Sequence, residues 1–428
     1  MLRLLSFCLV LAAPAWGADF RLMVGHGGPV MDVAVSADGK TAVTGSFDNS
    51  VGFWSMESDE VVWFDGHEAA VKTVIFAGEG RVASGSDDFD IEIWDTATGT
   101  SLRRMTGHQG QIASLALSPD GTLLASASWD GSIGLWPLDG EGEPRFMLGH
   151  RAPVNDVAFT ADGASLYSTS SDGTLRLWDV QKAEEKRQVL SHGFAINTLL
   201  LGEGWLAYGA VDGGTRVIDT ETDGLLADLT LERRPILSMA LSPDGTEMSV
   251  GDGEGFVMSV TVGSWRIAHD YKAAGKGPVW ALAYTGDGSS LISGGIDDNA
   301  YVWPVDNTLD APIMATEERA FLRDPAAMSN GERQFQRKCS VCHSLTEDGA
   351  RRAGPNLAGL FGRPAGSVTG YLYSDTVSNL GFEWSETTID QLFDLGPDHF
   401  IPGSKMPMQV IARPEDRRDL IAFLKENT

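Results

Sequence analysis

Residues 107–136 read Gly-His-Gln-Gly-Gln-Ile-Ala-Ser-Leu-Ala-Leu-Ser-Pro-Asp-Gly-Thr-Leu-Leu-Ala-Ser-Ala-Ser-Trp-Asp-Gly-Ser-Ile-Gly-Leu-Trp. A Gly-His pair opens the stretch and an apolar strand begins at Ile112. Ser118-Pro119-Asp120-Gly121 then marks a turn between alternating apolar residues, Asp130 follows, and Trp136 stands six residues after it. The same order recurs along the chain. His26, His67, His108, His150 and His192 are spaced by 41, 41, 42 and 42 residues, four of them preceded by Gly and the last by Ser191. Asp48, Asp88, Asp130, Asp172, Asp212 and Asp297 form a second series, with Glu254 filling its gap. Six residues after these stand Trp54, Trp94, Trp136, Trp178 and Trp303, replaced in two units by Ile218 and Val260. Counted by the acidic positions, seven units lie between residues 26 and 303. Self-similarity at such a period marks stacked units that bury one continuous core.

The pairs Gly107-His108, Gly149-His150, Trp94-Asp95 and Trp178-Asp179 make this region resemble the WD-repeat family. The resemblance implies an all-β, seven-bladed propeller with four strands per blade. Units one to four follow the pattern closely. The fifth keeps His192 and Asp212 without the Trp, the sixth has Glu232 at the His position and the seventh Gly275, so blades five and six rest more on spacing than on signature. Residues 20–24, ahead of Gly25-His26, match the runs into His108 and His150 and precede the first unit. They are expected to form the outer strand of the last blade, closing the ring and removing open edges. In the family, the His, a Ser or Thr, the Asp and the Trp form a hydrogen-bonded network in each blade. Five of the six propeller histidines stand at that position and are expected to be structural, and the tryptophans to be blade core. His269 is the spare histidine, expected at the surface.

The repeat stops after Val305. Residues 306–327, with Pro312 and Pro325, read as a linker with one helical turn over 316–323, long enough to leave the arrangement of its flanking domains open. Cys339-Ser340-Val341-Cys342-His343 follows. Thiols at this spacing on adjacent helical turns can add to the two vinyl groups of a haem while the next imidazole binds iron. The Cys spacing alone also serves redox and zinc chemistry. Zinc lacks a second Cys or His pair, His399 being alone, and a thioredoxin-like role lacks a βαβ context.

Gly354-Pro355-Asn356-Leu357-Ala358-Gly359-Leu360-Phe361-Gly362-Arg363, then Gly370-Tyr371-Leu372-Tyr373, Trp384 and Ile401-Pro402-Gly403-Ser404-Lys405-Met406, make residues 329–428 resemble a class I cytochrome c of the mitochondrial and α-proteobacterial type. The resemblance implies a small all-α domain holding one covalent haem c. By it, Cys339 and Cys342 carry the thioethers and His343 and Met406 are the axial iron ligands. Pro355 packs on the His side, and Arg363, Tyr373 and Trp384 lie at a propionate. Met408 competes for the axial role, and the Gly-Ser-Lys-Met context favours Met406. Leu392 replaces an aromatic beside the axial Met, and Val377 an asparagine of the same network. Ser329 and Glu332 form a capping box opening a helix that ends at the cysteines, with Gly331 and Phe335 on one face. Pro414-Glu415-Asp416 opens a second helix carrying Leu420, Phe423 and Leu424 at i, i+3 and i+4. In the family these two helices cross at the glycine. His/Met ligation implies a six-coordinate iron of relatively high potential, suited to carrying electrons.

With 32 Lys+Arg against 59 Asp+Glu, the net charge is −27. Binding to nucleic acid or to an anionic membrane surface is therefore not expected. Residues 331–428 hold 11 basic and 13 acidic residues, and residues 18–330 hold 20 and 46, so the acidity belongs to the propeller. It either steers a basic redox partner or serves solubility. Arg3, an apolar run and Ala15-Trp16-Gly17 read as a secretory signal cleaved near Gly17, too short to span a bilayer, and no later run is long enough. Export to a Gram-negative periplasm is expected; of the three cysteines the mature chain then keeps only Cys339 and Cys342, and an oxidising compartment suits covalent haem better than a free dithiol.

The organisation read from the sequence is a signal peptide (1–17), a WD-repeat propeller (18–305), a linker (306–327) and a cytochrome c domain (328–428). The function it favours is a monomeric periplasmic electron-transfer protein whose propeller docks a redox partner protein. The alternative is a multidomain oxidoreductase with an active site in the propeller and the haem as relay, as nitrite reductases and quinoprotein dehydrogenases pair such domains. Those propellers have eight blades and a second cofactor. This one has seven units, with no catalytic constellation and no spare His, Cys or Met cluster.

Overall fold

The computed structural model describes residues 20–305 and 328–428, apart from 59, 79, 141, 231–234, 275, 276, 341, 348–351, 372, 403, 405, 407 and 408. The readings of the signal peptide, the linker and its helical turn, Glu232, Gly275 and Met408 fall outside the described residues.

Seven four-stranded antiparallel sheets make the ring. Blade one runs outward as Val30–Val35, Thr41–Ser46, Ser50–Ser55 and Val61–Asp65, and blades two to six repeat this order from Val71, Ile112, Val154, Ile196 and Ile236. Each inner strand packs on the inner strands of both neighbours, and the ring closes where Val30–Val35 meets Val279–Tyr284. The outermost strand of blade seven is Arg21–Val24, paired with Asn299–Pro304 in the register Arg21↔Val302 to Val24↔Asn299. The expected closure by the N-terminal strand is present, and it leaves no unpaired edge at the seam.

Burial explains the strand composition. In Leu123–Ser128, every residue after Leu123 is fully buried, because a second strand is covered by a neighbouring blade on each face. Such a strand loses polar alternation and takes small or apolar residues such as Ala125, Ser126 and Ala127. The outer strand Ser101–Met105 has water on one side and regains polar residues.

In blades one to four the His network forms as expected. His108 Nδ1 lies 2.8 Å from Asp130 Oδ2, and its Nε2 lies 2.7 Å from Ser126 Oγ, which also accepts from Trp136 Nε1 at 2.8 Å. His26, His67 and His150 repeat the arrangement with Asp48, Asp88 and Asp172. Burial pushes Asp48 and Asp88 up, but charge and hydrogen bonding from His26 and His67, with further side-chain and backbone donors, outweigh it and hold both carboxyls at about 2.

Blades five and six complete their sheets by other means. In blade five, Tyr208 occupies the place of the hydroxyl residue; His192 Nε2 lies 3.1 Å from Asp212, and Arg216 Nη1 lies 3.0 Å from Nδ1. In blade six, buried Val250 and Val260 stand where Ser126 and Trp136 do, so apolar packing replaces the polar network. The five signature tryptophans are buried, while Trp129, in the turn before Asp130, is 52 % exposed. His269 corrects the sequence reading. It lies half-buried in the outer strand Arg266–Lys272 opposite Ser259, with its Nδ1 buried and without a hydrogen-bond partner among the described residues. Strand alternation turns it inward, which its lack of a motif did not reveal.

The C-terminal body is helical. α1 (Asn330–Lys338), α2 (Asp375–Ser378), α3 (Glu386–Leu395), α4 (Pro397–Phe400) and α5 (Pro414–Asn427) surround one core that includes Phe335, Ile389, Leu392, Phe393, Leu420 and Leu424. Ser329 Oγ accepts from the Glu332 N–H and caps α1. α1 crosses α5 at Gly331, where a Cβ would stand 2.1 Å from the Asp419 carbonyl oxygen, so only glycine permits this approach. The sequence reading omitted α3. Its signals were the Ser385/Thr388 capping box and Ile389, Leu392 and Phe393 at i, i+3 and i+4. Arg417 of α5 ties α3 down, at 2.7 Å from Asp390 and 3.0 Å from Asp394. Among the described residues no helix is long and apolar enough to cross a membrane.

Candidate functional site

α1 ends at Cys339, and its last turn is prolonged by bonds from the Cys342 and His343 N–H groups to the Cys339 carbonyl at 3.0 and 2.9 Å. That turn presents Cys339, Cys342 and His343 to one cavity of about 320 Å³. Pro355 lines it, as do Leu392 and Phe393 of α3, and Met406 from the segment before α5. The four residues singled out from the sequence, Cys339, Cys342, His343 and Met406, thus share one cavity although more than sixty residues separate the last from the rest.

The imidazole of His343 is oriented by one bond. Its Nδ1 lies 2.7 Å from the Pro355 carbonyl oxygen, so Nδ1 carries the proton and Nε2 keeps its lone pair. No partner occupies Nε2 among the described residues. Burial, opposed by that bond and aided by the Arg363 charge, lowers the pKa of His343 and keeps it neutral, the form that binds a metal. Gly354 is required beside it, because a Cβ there would stand 2.4 Å from His343 Cε1. The thiols are free and inward-facing. Burial pushes Cys339 up to about 12 and raises Cys342 as well, so both are held as neutral thiols.

Arg363, Tyr373 and Trp384 also line the cavity. The Arg363 guanidinium is held by the carbonyls of Ala358 and Asn356 at 2.7 and 2.9 Å, and the Tyr371 hydroxyl donates to the Ala353 carbonyl at 2.8 Å. Leu392 and Val377 face the same space. The donor set and the apolar walls fit a covalently tethered haem: two thiols, a neutral His with Nε2 free, a thioether, and an Arg and a Tyr near the polar end.

Sequence reasoning missed part of this cavity. Phe47, Asn49, Glu68, Ala69, Ala70 and Asp87 of the propeller complete its lining, and Arg352 Nη1 donates to the Gly27 carbonyl at 2.6 Å. These residues are far from the haem motif in sequence, and no local pattern marks them.

The fold and site define a haem-binding helical domain carried by a propeller. Comparison with known proteins agrees. The pattern "WD domain, G-beta repeat" matches residues 19–55, 59–95, 99–137, 142–179 and 265–304, and the pattern "Cytochrome c" matches residues 328–428. The chain is 41 % identical over 104 residues to a cytochrome c of Gossypium barbadense, covering 24 % of this chain and 93 % of that one. It is 41 % identical over 110 residues to a cytochrome c of Nigella damascena (26 % and 98 %), and 42 % identical over 98 residues to one of Arabidopsis thaliana (23 % and 87 %). Through its C-terminal domain, fused to a WD-repeat propeller, the chain belongs to the cytochrome c family. A cytochrome c domain implies covalently bound haem c and electron transfer, and a WD propeller implies a platform for protein partners.

Proposed function

We propose that this chain is a monomeric periplasmic electron carrier with a single haem c, exported by residues 1–17 and divided into a propeller (18–305), a linker (306–327) and a haem domain (328–428). Cys339 and Cys342 tether the haem, His343 Nε2 and Met406 Sδ are its axial ligands, and the acidic propeller docks a basic redox partner. Haem bound in the cleft supplies one-electron exchange at its iron. The chain's own residues do the rest. The Pro355 carbonyl fixes the His343 tautomer and ring plane, Gly354 leaves room for the ring, and Leu392, Phe393 and Trp384 exclude water. The observation that carries the reading is the convergence of the two thiols, the neutral imidazole and the Met406 thioether on one apolar cavity. The test is an optical spectrum with haem-to-protein stoichiometry on protein matured in a periplasm that assembles c-type cytochromes. One haem per chain, a methionine-ligation band when oxidised and no carbon monoxide uptake when reduced are expected. Ready carbon monoxide uptake, or a second chromophore, overturns it.

A further inference from the structure

Three features on the propeller side of the cavity point beyond a haem domain that merely hangs from its linker. The first is the lining itself: Phe47 and Asn49 from the turn between the second and third strands of blade one, Glu68, Ala69 and Ala70 from the loop into blade two, and Asp87 from the equivalent turn of that blade. The second is coverage. Phe47 stands immediately before the acidic residue of its blade and is half-buried, whereas Trp129 and Val211 at the same position in blades three and five are 52 % and 37 % exposed. The position is thus covered where the helical domain sits and open at Trp129, Ser171 and Val211 of blades three to five.

The third feature is charge at the junction. Arg352, two residues before Gly354, sends Nη1 to the Gly27 carbonyl and lies within reach of the Asp48 charge, so the helical domain is anchored on the Gly-His loop of blade one. Burial of a guanidinium is costly unless it is held this way. Across the junction, Asp87 Oδ1 is buried without a hydrogen-bond partner among the described residues, as is Arg352 Nε. Asp87 lies within reach of the Lys72 charge and lines the cavity, so its Oδ1 is, among the described residues, a buried polar atom without a hydrogen bond in the propeller wall of that cavity.

We infer that the haem is bound between the two domains: blades one and two form one wall of its cleft through Phe47, Asn49, Glu68, Ala69, Ala70 and Asp87, and Arg352 latches that wall shut. The inference rests on the reading that the cavity holds haem. It assigns the propeller a role in the cofactor site itself. A redox partner then meets a composite surface, with the propeller already covering one side of the haem.

The test uses the full-length, haem-loaded, isotope-labelled protein, with haem content checked first by its optical spectrum. Amide resonances are compared between the ferric and ferrous states, because the unpaired electron of low-spin ferric iron shifts nearby nuclei through space and diamagnetic ferrous iron does not. Redox-dependent shifts are expected at Asn49, Ala70 and Asp87, and none at Ser171 and Val211, the matching turns of blades four and five. Arg352→Glu, which sets a carboxylate against the Gly27 carbonyl and Asp48, is expected to abolish the propeller shifts while those of Leu357 and Trp384 persist. A haem-loaded protein whose Leu357 and Trp384 amides respond while Asn49, Ala70 and Asp87 do not overturns the inference and leaves the electron-carrier reading standing. A chain that takes up no haem overturns both.

Discussion

His108, buried, and His343, half-buried, are both imidazoles beside a turn, and they do opposite work. In blade three both ring nitrogens of His108 are taken, Nδ1 by Asp130 and Nε2 by Ser126. In the helical domain only Nδ1 of His343 is taken, by a backbone carbonyl, and Nε2 faces a cavity beside two thiols and a thioether. The difference lies in what the second nitrogen meets. A histidine whose two nitrogens are satisfied by its own blade is a staple, and one held by a single bond keeps a second nitrogen able to bind. The carboxylate in one network and the carbonyl in the other follow from the same logic: both fix the tautomer.

The largest effect that sharpens this comparison is at the site. His343→Ala removes the free Nε2, and haem loading of the full chain is expected to fall by about tenfold or more, read as Soret absorbance per protein. Met406→Ala leaves both thiols and the imidazole in place, so haem is retained while the reduced protein gains carbon monoxide binding. An unchanged spectrum in either variant would remove that residue from the site.

Next comes the packing that presents the site. Gly331→Val drives a side chain into the Asp419 carbonyl, and a loss of about 3 kcal/mol from the helical domain is expected, followed in denaturant at the haem band. The propeller, followed by tryptophan fluorescence, should keep its midpoint.

The staple is the other half of the comparison. His108→Ala leaves Asp130, whose side chain is 14 % exposed, without its ring partner and opens a cavity beside Trp136, and is expected to cost about 3 kcal/mol in guanidinium unfolding. His192→Ala should cost only about 1 kcal/mol, because Asp212 is 28 % exposed and Arg216 remains beside it. Equal losses would mean that blade five is stapled as tightly as blade three.

The smallest effect is in pH. Asp48 and Asp88 are held at about 2, below their ordinary 3.8. A carboxyl depressed in the folded state stabilises fully above its unfolded value and loses that contribution as pH falls through the folded one. The contribution of these two groups to the urea midpoint should therefore be complete above about pH 4 and be lost between about pH 4 and 2, at most about 2 kcal/mol each, whereas Asp32, pushed up to about 6 by burial, works in the opposite sense between about pH 4 and 6. His26→Ala should flatten the part due to Asp48.

Much of this was legible in the chain because its signals are local or periodic. The series of acidic positions counted seven blades, and the run before Gly25-His26 announced the closing strand that pairs with Asn299–Pro304. α3 was equally legible through its capping box and apolar spacing, and went unread only because no motif drew attention to it. Blades five and six show why signature and fold can separate. Val250 and Val260 keep the volume and burial that a second and third strand require, and the neighbouring blades supply the rest of the core. His269 and Trp129 depart for a similar reason: which way a side chain faces depends on strand register and on what covers the turn.

By itself the sequence determined the two domain types, the blade count and the closing strand, and it singled out the Cys, His and Met residues that line the cavity, since each is carried by a repeat or by a motif. Only the tertiary structure decided which nitrogen of His343 is free, that Gly354 must be glycine, and that Arg352 reaches Gly27 so that Phe47 and Asp87 border the same cavity as Cys342. Those facts depend on distances between groups that are remote in sequence. Nothing in a linear pattern encodes them until packing brings the groups together.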